Sequence, residues 1–353
     1  MVRSIVPRLA AAGVRLSVIS IYAAELDANE CARLGAPLYE IERGGALDAP
    51  RAFVRTVALL RELRPDIVHG HVHTGKYFGR AAALAAGVPH VLYTEHHPRP
   101  EHTLAQRLAD GALRPGTDAV IAFHERQRRE IAQRDGFPLE RIAIVPNGIE
   151  HAPAIDPAER ALARAKFDLR EETFAVLFAG RLAEQKFPGL AIEAFAAMPR
   201  SRLGDDVLLI AGDGPLAPEV ETQSSRLLGR RARRLGYRRD MRELYAAADA
   251  FLMTSRYEAM PLAPIEAMSQ GVPVVTTPWE GAHEIVRDRI GGYVTSAFDP
   301  GEIGIALALL RDLPACRRAL SARAAELARS AYDIGRTAER HYELYASLLG
   351  ARP

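Results

Sequence analysis

Two glutamates eight residues apart form the part of this sequence with the most specific chemical potential. Glu258 lies in a loop-like segment, and Glu266 lies within the predicted helix that follows. Pro264 suits the first turn of that helix, where its missing N–H costs nothing, and Gly271 suits the helix end. A helix N-terminus attracts anions, and a carboxylate beside it accepts hydrogen bonds from hydroxyls. The segment therefore favours a ligand with phosphates and polyol groups, although spacing alone also suits a capped helix with one solvated glutamate.

A second candidate phosphate site lies upstream, where a glycine turn joins a predicted strand to a helix. Residues 174–179 are apolar and predict a buried strand, which runs into Gly180 and then Arg181 and Lys186. A guanidinium binds two phosphate oxygens at once and an ammonium adds a point charge, so this spacing suits a diphosphate. Another predicted strand, at 207–211, ends in a Gly-Asp-Gly turn. These two segments shift the interpretation from a simple helix cap to a diphosphate site.

Four ordered motifs make the chain resemble a known family. In order, the motifs are GRLAEQK (180–186), LLIAGDGPL (208–216), LGYRRDMRELYAAADAFLMTSRYEAMPLAPIEAMSQGVPVV (235–275) and GAHEIV (281–286). Together they resemble the retaining glycosyltransferases of family 4, specifically over residues 174–295 and more loosely over the rest of the chain. The resemblance implies the GT-B architecture, an α/β fold of two Rossmann-like, doubly wound domains with a cleft between them.

The resemblance also implies an activity. The enzyme would move a sugar from a nucleoside-diphosphate donor to an acceptor hydroxyl with retention, with UDP favoured by its frequency in the family. Arg181 and Lys186 would neutralise the departing diphosphate, with help from the backbone N–H groups after Glu258. Glu258 would also hold hydroxyls of the donor sugar, and Glu266 would accept a hydrogen bond from the ribose.

Two further family positions match this sequence. His96, in Thr94-Glu95-His96, occupies the family's Thr-x-His position and would contact the donor sugar or phosphate, the alternative being an exposed loop histidine. The catalytic set implied by the resemblance is therefore His96, Arg181, Lys186 and Glu258. A family loop whose backbone reads the nucleotide base is matched by Gly236 and Tyr237. The implied donor-binding set is Gly180, Arg181, Lys186, Gly236, Tyr237, Glu258, Ala259, Met260, Leu262 and Glu266.

The candidate residues suggest a mechanism without a covalent enzyme intermediate. No second carboxylate is evident at a position suited to attack from the far face of the sugar, which disfavours double displacement. We find no cofactor motif and no set of metal ligands, so the sequence predicts a metal-independent reaction with the nucleotide sugar as substrate. The resemblance implies an acceptor that is a glycan, a lipid-linked molecule or a small molecule, in cell-surface polysaccharide or glycolipid biosynthesis.

Composition narrows the compartment and the partners. The 353 residues carry a net charge of +2, which gives no bulk field for nucleic acid. Two cysteines, Cys31 and Cys316, indicate a reducing, cytoplasmic location. There is no signal-peptide pattern and no apolar run of about 20 residues. Eight arginines between Arg226 and Arg242 favour a solvated helix face, with peripheral contact to the inner membrane face as the alternative.

Short β-branched runs alternate with Ala/Leu-rich helical stretches, which predicts parallel sheets covered by helices. We expect an acceptor-side domain at 1–150, a nucleotide-sugar-binding domain at 151–332, and a helix at 333–353 that the resemblance places back on the first domain. The predicted strands are Leu16–Ile21, Asp66–His71, His90–Thr94, Ala119–Ala122 and Ile142–Val145, followed by 174–179, 207–211, 232–236, 250–253, 273–276 and 292–295.

The beginning of the chain departs from the family pattern. The family opens with a strand and a Gly-Gly loop before its first helix, whereas Met1–Ala12 already has the pattern of that helix. The resemblance therefore implies that the first strand and its loop are missing. Loss of a central strand exposes unpaired backbone, so we expect the chain as given to be less stable and less active than an extended one.

His69, His71 and His73 alternate, so on a continuous strand they would share one face. Lining of a ligand crevice is favoured over structural histidines or a metal site. Residues 70–76 match the glycine–lysine frame of a P-loop, but Tyr77 stands where Ser or Thr must reach Mg²⁺, which argues against an NTPase.

Two rival functions remain open at this point. A nucleotide-sugar epimerase on the same fold would need further acid–base carboxylates in the crevice. A non-catalytic sugar-nucleotide-binding protein would follow from loss of the first strand.

Overall fold

The computed structural model describes residues 2–21, 28–41, 48–96, 103–200 and 206–350. Its strands are β1 (Val18–Ser20), β2 (Leu38–Glu40), β3 (Ile67–Gly70), β4 (His90–Thr94), β5 (Ala119–Ala122), β6 (Ile142–Ile144), β7 (Ala175–Ala179), β8 (Val207–Ala211), β9 (Ala232–Gly236), β10 (Ala250–Met253), β11 (Val274–Thr276) and β12 (Gly292–Val294).

Helices cover most of the remaining described chain. They are α1 (Val2–Ala11), α2 (Ala28–Arg33), α3 (Ala49–Leu63), α4 (Val72–Thr74), α5 (Arg80–Ala86), α6 (Leu104–Leu113), α7 (Glu125–Asp135), α8 (Pro157–Lys166), α9 (Pro188–Ala197), α10 (Ala217–Leu227), α11 (Met241–Ala247), α12 (Leu262–Ser269), α13 (Ala282–Ile285), α14 (Pro300–Asp312), α15 (Pro314–Ala331) and α16 (Ile334–Leu348).

Two compact units make up the chain. The first comprises Met1–Glu150 together with Ile334–Pro353, and the second comprises His151–Asp333. Helix α16, although last in sequence, therefore belongs to the first unit. Among the described residues, no helix combines the length and the apolar character needed to cross a membrane.

The second unit is a six-stranded parallel sheet in the order β12-β11-β10-β7-β8-β9. Its central strands β7, β8 and β10 are apolar because helices cover both faces of a parallel sheet, whereas the edge strand β9 carries two arginines. Val176, Leu208 and Leu252, on three neighbouring strands, are almost completely buried, and they belong to one core cluster with Phe195 of α9 and Leu307 of α14. This continuous core makes the sheet a rigid base for the loops at its carboxyl edge.

The first unit contains a four-stranded parallel sheet, β3-β4-β5-β6, and a separate parallel pair, β1-β2. Helices α1 and α16 share a core cluster in which Ile5, Leu9 and Ile334 are buried. On α16, the Thr337 hydroxyl also donates to the Pro146 carbonyl over 3.0 Å. The helical prediction for the start of the chain is confirmed by α1. The predicted absence of a strand and glycine loop before it stays a prediction.

Every strand predicted from the sequence is present, with ends that agree with the prediction or differ by at most two residues. Strand β2 was not predicted. Its three residues, which follow Pro37, form too short a pattern to be distinguished from a loop. The predicted Asp66–His71 strand ends early, at Gly70, because Val72 adopts a left-handed conformation and starts the short helix α4.

Candidate functional site

The strand order of the second unit determines where its loops can hold a ligand. From β7, the chain runs to β8 and β9 on one side, and it later fills the other side with β10, β11 and β12. Loops leaving two adjacent strands in opposite directions open a crevice at their carboxyl ends, where ligands bind in such sheets. The loop after β7 carries Lys186, and the loop after β10 carries Glu258. The topology therefore places these predicted residues at one switch point.

Lys186 and Glu258 form an ion pair across this switch point. The Lys186 ammonium lies 2.5 Å from Glu258 Oε1, and Glu258 is only 7% exposed. The Ser255 hydroxyl donates to the same oxygen over 2.7 Å, and the Gln185 amide lies 3.4 Å from Oε2. Glu258 is thus held by three side chains, and any anion that binds Lys186 competes with this carboxylate.

Contacts between the two loops fix the position of Lys186. Thr254 donates its hydroxyl to the carbonyls of Lys186 and Phe187, at 3.1 and 2.9 Å. Phe187 has a φ of 48°, a left-handed conformation that bulky residues rarely adopt. The Arg256 N–H donates to the Gln185 carbonyl over 2.8 Å, and its guanidinium lies 3.8 Å from the centre of the Phe187 ring. These contacts hold the strained turn and with it the ammonium.

The Gly-Asp-Gly turn after β8 packs directly on the loop that carries Arg181. A Cβ on Gly212 would lie 1.9 Å from the Gly180 carbonyl oxygen, and one on Gly214 would lie 2.5 Å from that of Leu182. Both glycines also have φ values that L-residues avoid, 144° and 154°. Only glycine allows this approach. Arg181, on the packed loop, is exposed.

The end of β9 joins the same edge of the sheet. The N–H of Gly212 donates to the Gly236 carbonyl over 2.7 Å, and Gly236 has a φ of 65°. Tyr237 follows and is 70% exposed, with the Arg239 guanidinium 6.0 Å from its ring centre. The predicted base-reading loop is therefore at the carboxyl edge, adjacent to the Gly-Asp-Gly turn.

Helix α12 begins at Leu262, after a short segment that follows Glu258. Ala259 and Met260 are buried in the connecting segment, and Leu262 is the first helical residue. Glu266 lies on the second turn, where its Oε2 accepts a hydrogen bond from the Tyr245 hydroxyl over 2.9 Å. Burial is the main cause that raises the pKa of Tyr245, and the negative charge of Glu266 raises it further. This phenol is therefore a neutral donor.

His96 belongs to the first unit, at the carboxyl ends of β3 and β4. Its Nε2 lies 3.1 Å from Nδ1 of His71, and the His71 ring lies against that of His69, 4.1 Å between centres. His69 in turn bonds the Tyr345 hydroxyl at 2.7 Å and the Thr94 hydroxyl at 2.8 Å. Burial lowers the pKa of His71 to about 3 and that of His96 to about 4. The imidazole pair is therefore neutral near pH 7.

His73 does not join the other two histidines of its motif. Because β3 ends at Gly70, His73 lies on α4, exposed, with its Nε2 3.4 Å from the Gln106 amide. The expectation that the three histidines share one strand face is wrong for this reason. Within the described ranges, no group of three or more His, Cys, Asp or Glu side chains is arranged to hold a metal ion.

Lys76, the lysine of the P-loop-like frame, is buried in an ion cluster. Its ammonium lies 2.7 Å from Glu95 and 3.3 Å from Asp110. Arg80 pairs with Asp110 at 2.7 Å, and Arg134 lies 3.0 Å from Glu95. This packing agrees with the argument against a P-loop. Glu95, which directly precedes His96, is held in place by its ion pairs with Lys76 and Arg134.

Much of the arginine-rich stretch is paired within the second unit. Arg242 binds Glu159 in a bidentate pair at 2.5 and 2.8 Å, and Arg238 pairs with Asp240. Arg231 lies over the Phe195 ring at 4.7 Å. These contacts favour internal ion pairing over a dedicated membrane patch. The prediction of one solvated helix face is wrong, because the arginines are spread over α10, β9, α11 and the segments between them.

The residues that support the predicted ones could not be identified from local sequence patterns. Ser255 holds Glu258 from the same loop, three residues upstream, whereas Gln185 holds Glu258 and Tyr245 holds Glu266 from other segments of the chain. All three supporting residues lie within the family motifs, which do not indicate these contacts. Tyr245 is 21 positions from Glu266, so no local pattern connects the two.

Two family models match this chain. The model described as "Glycosyltransferase Family 4" matches residues 1–152, and the model described as "Glycosyl transferases group 1" matches residues 159–327. Between them they cover most of both structural units.

Characterised relatives span most of the chain. The UDP-Gal:alpha-D-GlcNAc-diphosphoundecaprenol alpha-1,3-galactosyltransferase of Escherichia coli is 30% identical over 263 residues, which cover 70% of this chain and 67% of the relative. The D-inositol 3-phosphate glycosyltransferase of Streptosporangium roseum is 26% identical over 318 residues, or 84% and 72% of the two chains.

Solved structures share the fold. Anabaena Alr3699/HepE in complex with UDP and glucose has a TM-score of 0.83 at 20% identity, over 98% of this chain and 95% of that one. WaaG, a glycosyltransferase involved in lipopolysaccharide biosynthesis, has a TM-score of 0.75 at 20% identity, over 97% and 94%. The predicted GT-B class, a two-domain α/β fold, is confirmed.

Proposed function

Because this chain belongs to the glycosyltransferases of family 4, we propose that it transfers a sugar from a UDP-sugar to an acceptor hydroxyl with retention. The family models and the relatives indicate a glycosyltransferase that uses a nucleotide sugar.

One observation carries the residue roles, namely the meeting of Lys186 and Glu258 at the switch point between β7 and β10. A cation and a carboxylate in contact at the edge of such a sheet can bind the two halves of a nucleotide sugar. The ammonium takes the diphosphate and the carboxylate accepts from sugar hydroxyls. When a nucleotide sugar binds, its diphosphate replaces Glu258 as the partner of Lys186, and its sugar hydroxyls replace Lys186 as the partner of Glu258.

The leaving group drives the proposed reaction. Lys186 and Arg181 stabilise the charge that develops on the diphosphate, together with the N-terminus of α12. The acceptor hydroxyl attacks the anomeric carbon from the face on which the diphosphate leaves, so the anomeric configuration is retained. The new C–O bond forms as the bond to the diphosphate breaks, and the hydroxyl proton passes to an oxygen of the departing diphosphate. His96 contacts the donor sugar or phosphate, and Glu266 accepts from the ribose. Positive charge at the diphosphate comes from side chains, so we propose that the reaction needs no bound metal.

The acceptor is proposed from the relatives. The Escherichia coli protein is named for a diphosphoundecaprenol acceptor, and the Streptosporangium protein for an inositol phosphate. We propose a lipid-linked or other glycan acceptor in cell-surface polysaccharide or glycolipid biosynthesis. Transfer to such an acceptor would take place in the cytoplasm, with peripheral contact to the inner membrane face.

The test is a transfer assay with UDP-galactose, UDP-glucose and UDP-GlcNAc against diphospholipid-linked GlcNAc, read by NMR of the product linkage. We expect an α-linked product from one donor, full activity after EDTA treatment, and loss of activity in Lys186→Ala. A β-linked product contradicts retention, and activity restored only by Mn²⁺ contradicts metal independence. Conversion of the donor sugar without any acceptor would show an epimerase instead.

A further inference from the structure

A buried tyrosine controls one oxygen of the carboxylate assigned to the ribose. Tyr245, on α11, is 3% exposed and donates its hydroxyl to Glu266 Oε2 over 2.9 Å. We propose that Tyr245 is a positioning residue that sets the preference for a ribonucleotide donor by fixing the direction of the Glu266 carboxylate. The inference rests on the proposed function, because it takes Glu266 as the residue that binds the ribose.

The geometry leaves one carboxylate oxygen for a ligand. The terminal torsion of a glutamate is broad, so an untethered carboxylate samples many directions. Here Oε2 is tied to Tyr245, whereas Oε1 of the half-buried Glu266 accepts no hydrogen bond from the described part of the chain. A hydroxyl donor at Oε1 therefore meets an acceptor whose orientation is already set.

Tyr245 is itself held firmly. Its ring packs against Phe251 of the neighbouring strand, with 6.2 Å between centres, and its hydroxyl also lies 3.4 Å from the Ala263 carbonyl in the first turn of α12. Burial raises the pKa of Tyr245, so the phenol does not ionise near pH 7. A rigid, permanent donor facing a flexible carboxylate is the arrangement that positions an acceptor group.

Calorimetry with UDP and 2′,3′-dideoxy-UDP separates positioning from simple structural support. Wild type should prefer UDP. Tyr245→Phe should lose about three- to tenfold of its UDP affinity, the range for one net hydrogen bond, and should bind dideoxy-UDP as wild type does. In a Glu266→Gln background, Tyr245→Phe should have no further effect. Tyr293→Phe, which removes a hydroxyl from β12 of the same unit, is the matched control and should bind both nucleotides normally.

The possible outcomes distinguish the positioning role of Tyr245 from the assignment of Glu266 to the ribose. If Tyr245→Phe weakens both nucleotides equally, or neither, while Glu266→Gln weakens UDP, the positioning role is refuted and the ribose assignment stands. If Glu266→Gln leaves UDP affinity unchanged, or wild type does not bind UDP, the proposed function fails and this inference fails with it. Should Tyr245→Phe not fold, Glu266→Asp is the second variant. It keeps the charge but withdraws it by one methylene, and full preference for UDP in that variant would refute the inference.

Discussion

At the scale of single residues, the unexpected feature is that the two side chains assigned to opposite halves of the donor are paired with each other. Glu258 satisfies the charge of Lys186 and also receives hydrogen bonds from Ser255 and Gln185. A free nucleoside diphosphate would take the ammonium and leave the buried carboxylate without its cation. The complete donor supplies hydroxyls to replace it, so we expect the two halves of the donor to bind cooperatively.

The ion pair gives Glu258→Gln an unusual expected profile. The neutral amide no longer competes for Lys186, so UDP affinity should stay the same or rise by up to about tenfold. Turnover of the UDP-sugar should fall by about ten- to 150-fold, the range for one charge-assisted hydrogen bond. Calorimetry and initial rates measure the two quantities, with exposed Glu326→Gln as the control. Weakened UDP binding in Glu258→Gln would show that the carboxylate contacts the nucleotide instead.

Lys186→Ala should weaken UDP binding, in contrast to Glu258→Gln. Removal of the ammonium deletes a charge-assisted contact to phosphate, which is worth about 1.5–3 kcal/mol or ten- to 150-fold in UDP affinity. Exposed Lys166→Ala, which also removes a paired lysine from the same unit, should bind UDP normally. Unchanged affinity in both Lys186→Ala and Arg181→Ala would overturn the phosphate assignment.

At the scale of elements, local sequence patterns predicted almost all of the strands but not the contacts between segments that are distant in the sequence. The apolar runs of β7, β8 and β10 carry their own signal because both faces of a parallel strand are buried. Glu258 and Lys186 could be assigned from motifs. Their contact could not, because it depends on the strained turn at Phe187 and on hydrogen bonds from Thr254. Sequence spacing also failed at His73, where a backbone reversal at Val72 ended the strand.

The close packing of the loop after β8 predicts that a side chain at Gly212 destabilises the protein. Gly212→Ala should lose about 2–5 kcal/mol of unfolding free energy, because the new Cβ meets the Gly180 carbonyl and the backbone is strained as well. Gly229→Ala is the matched control, since its φ is 55° and no atom lies within 4 Å of the new Cβ. It should lose only about 1 kcal/mol. Equal losses in urea titrations of the two variants would contradict close packing of the loops.

The imidazole pair at the ends of β3 and β4 predicts acid sensitivity. His71 and His96 have folded pKa values of about 3 and about 4, against about 6.5 when unfolded. Between pH 6.5 and 4 the unfolded chain therefore binds more protons than the folded chain. Each of the two histidines lowers the free energy of unfolding by up to about 1.4 kcal/mol for each pH unit of acidification. Stability should be fully present above pH 6.5 and fall as the pH drops. His71→Gln should flatten this dependence in urea titrations at pH 7.5 and 5, whereas exposed His283→Asn should not.

At the scale of the whole molecule, the chemistry divides between the two compact units. Lys186, Glu258 and Glu266 all lie in the unit formed by His151–Asp333. His71 and His96 lie in the other unit, as do His69 and His341, whose pKa values burial also lowers. Each unit has its own buried core. Ligand binding and acid sensitivity should therefore report on different parts of the chain.

This division predicts two separable thermal transitions. A ligand that binds only the folded form raises stability by RT ln(1 + [L]/Kd), so UDP at a hundred times its Kd should add about 2.7 kcal/mol to the unit that binds it. In calorimetric scans, UDP should raise one transition and leave the other in place, and a shift from pH 7.5 to 5 should lower the one that UDP does not move. Lys186→Ala should abolish the UDP response alone. If UDP and acid move the same transition, donor binding and the histidine cluster belong to one cooperative body, and the assignment of the donor to the second unit by itself is wrong.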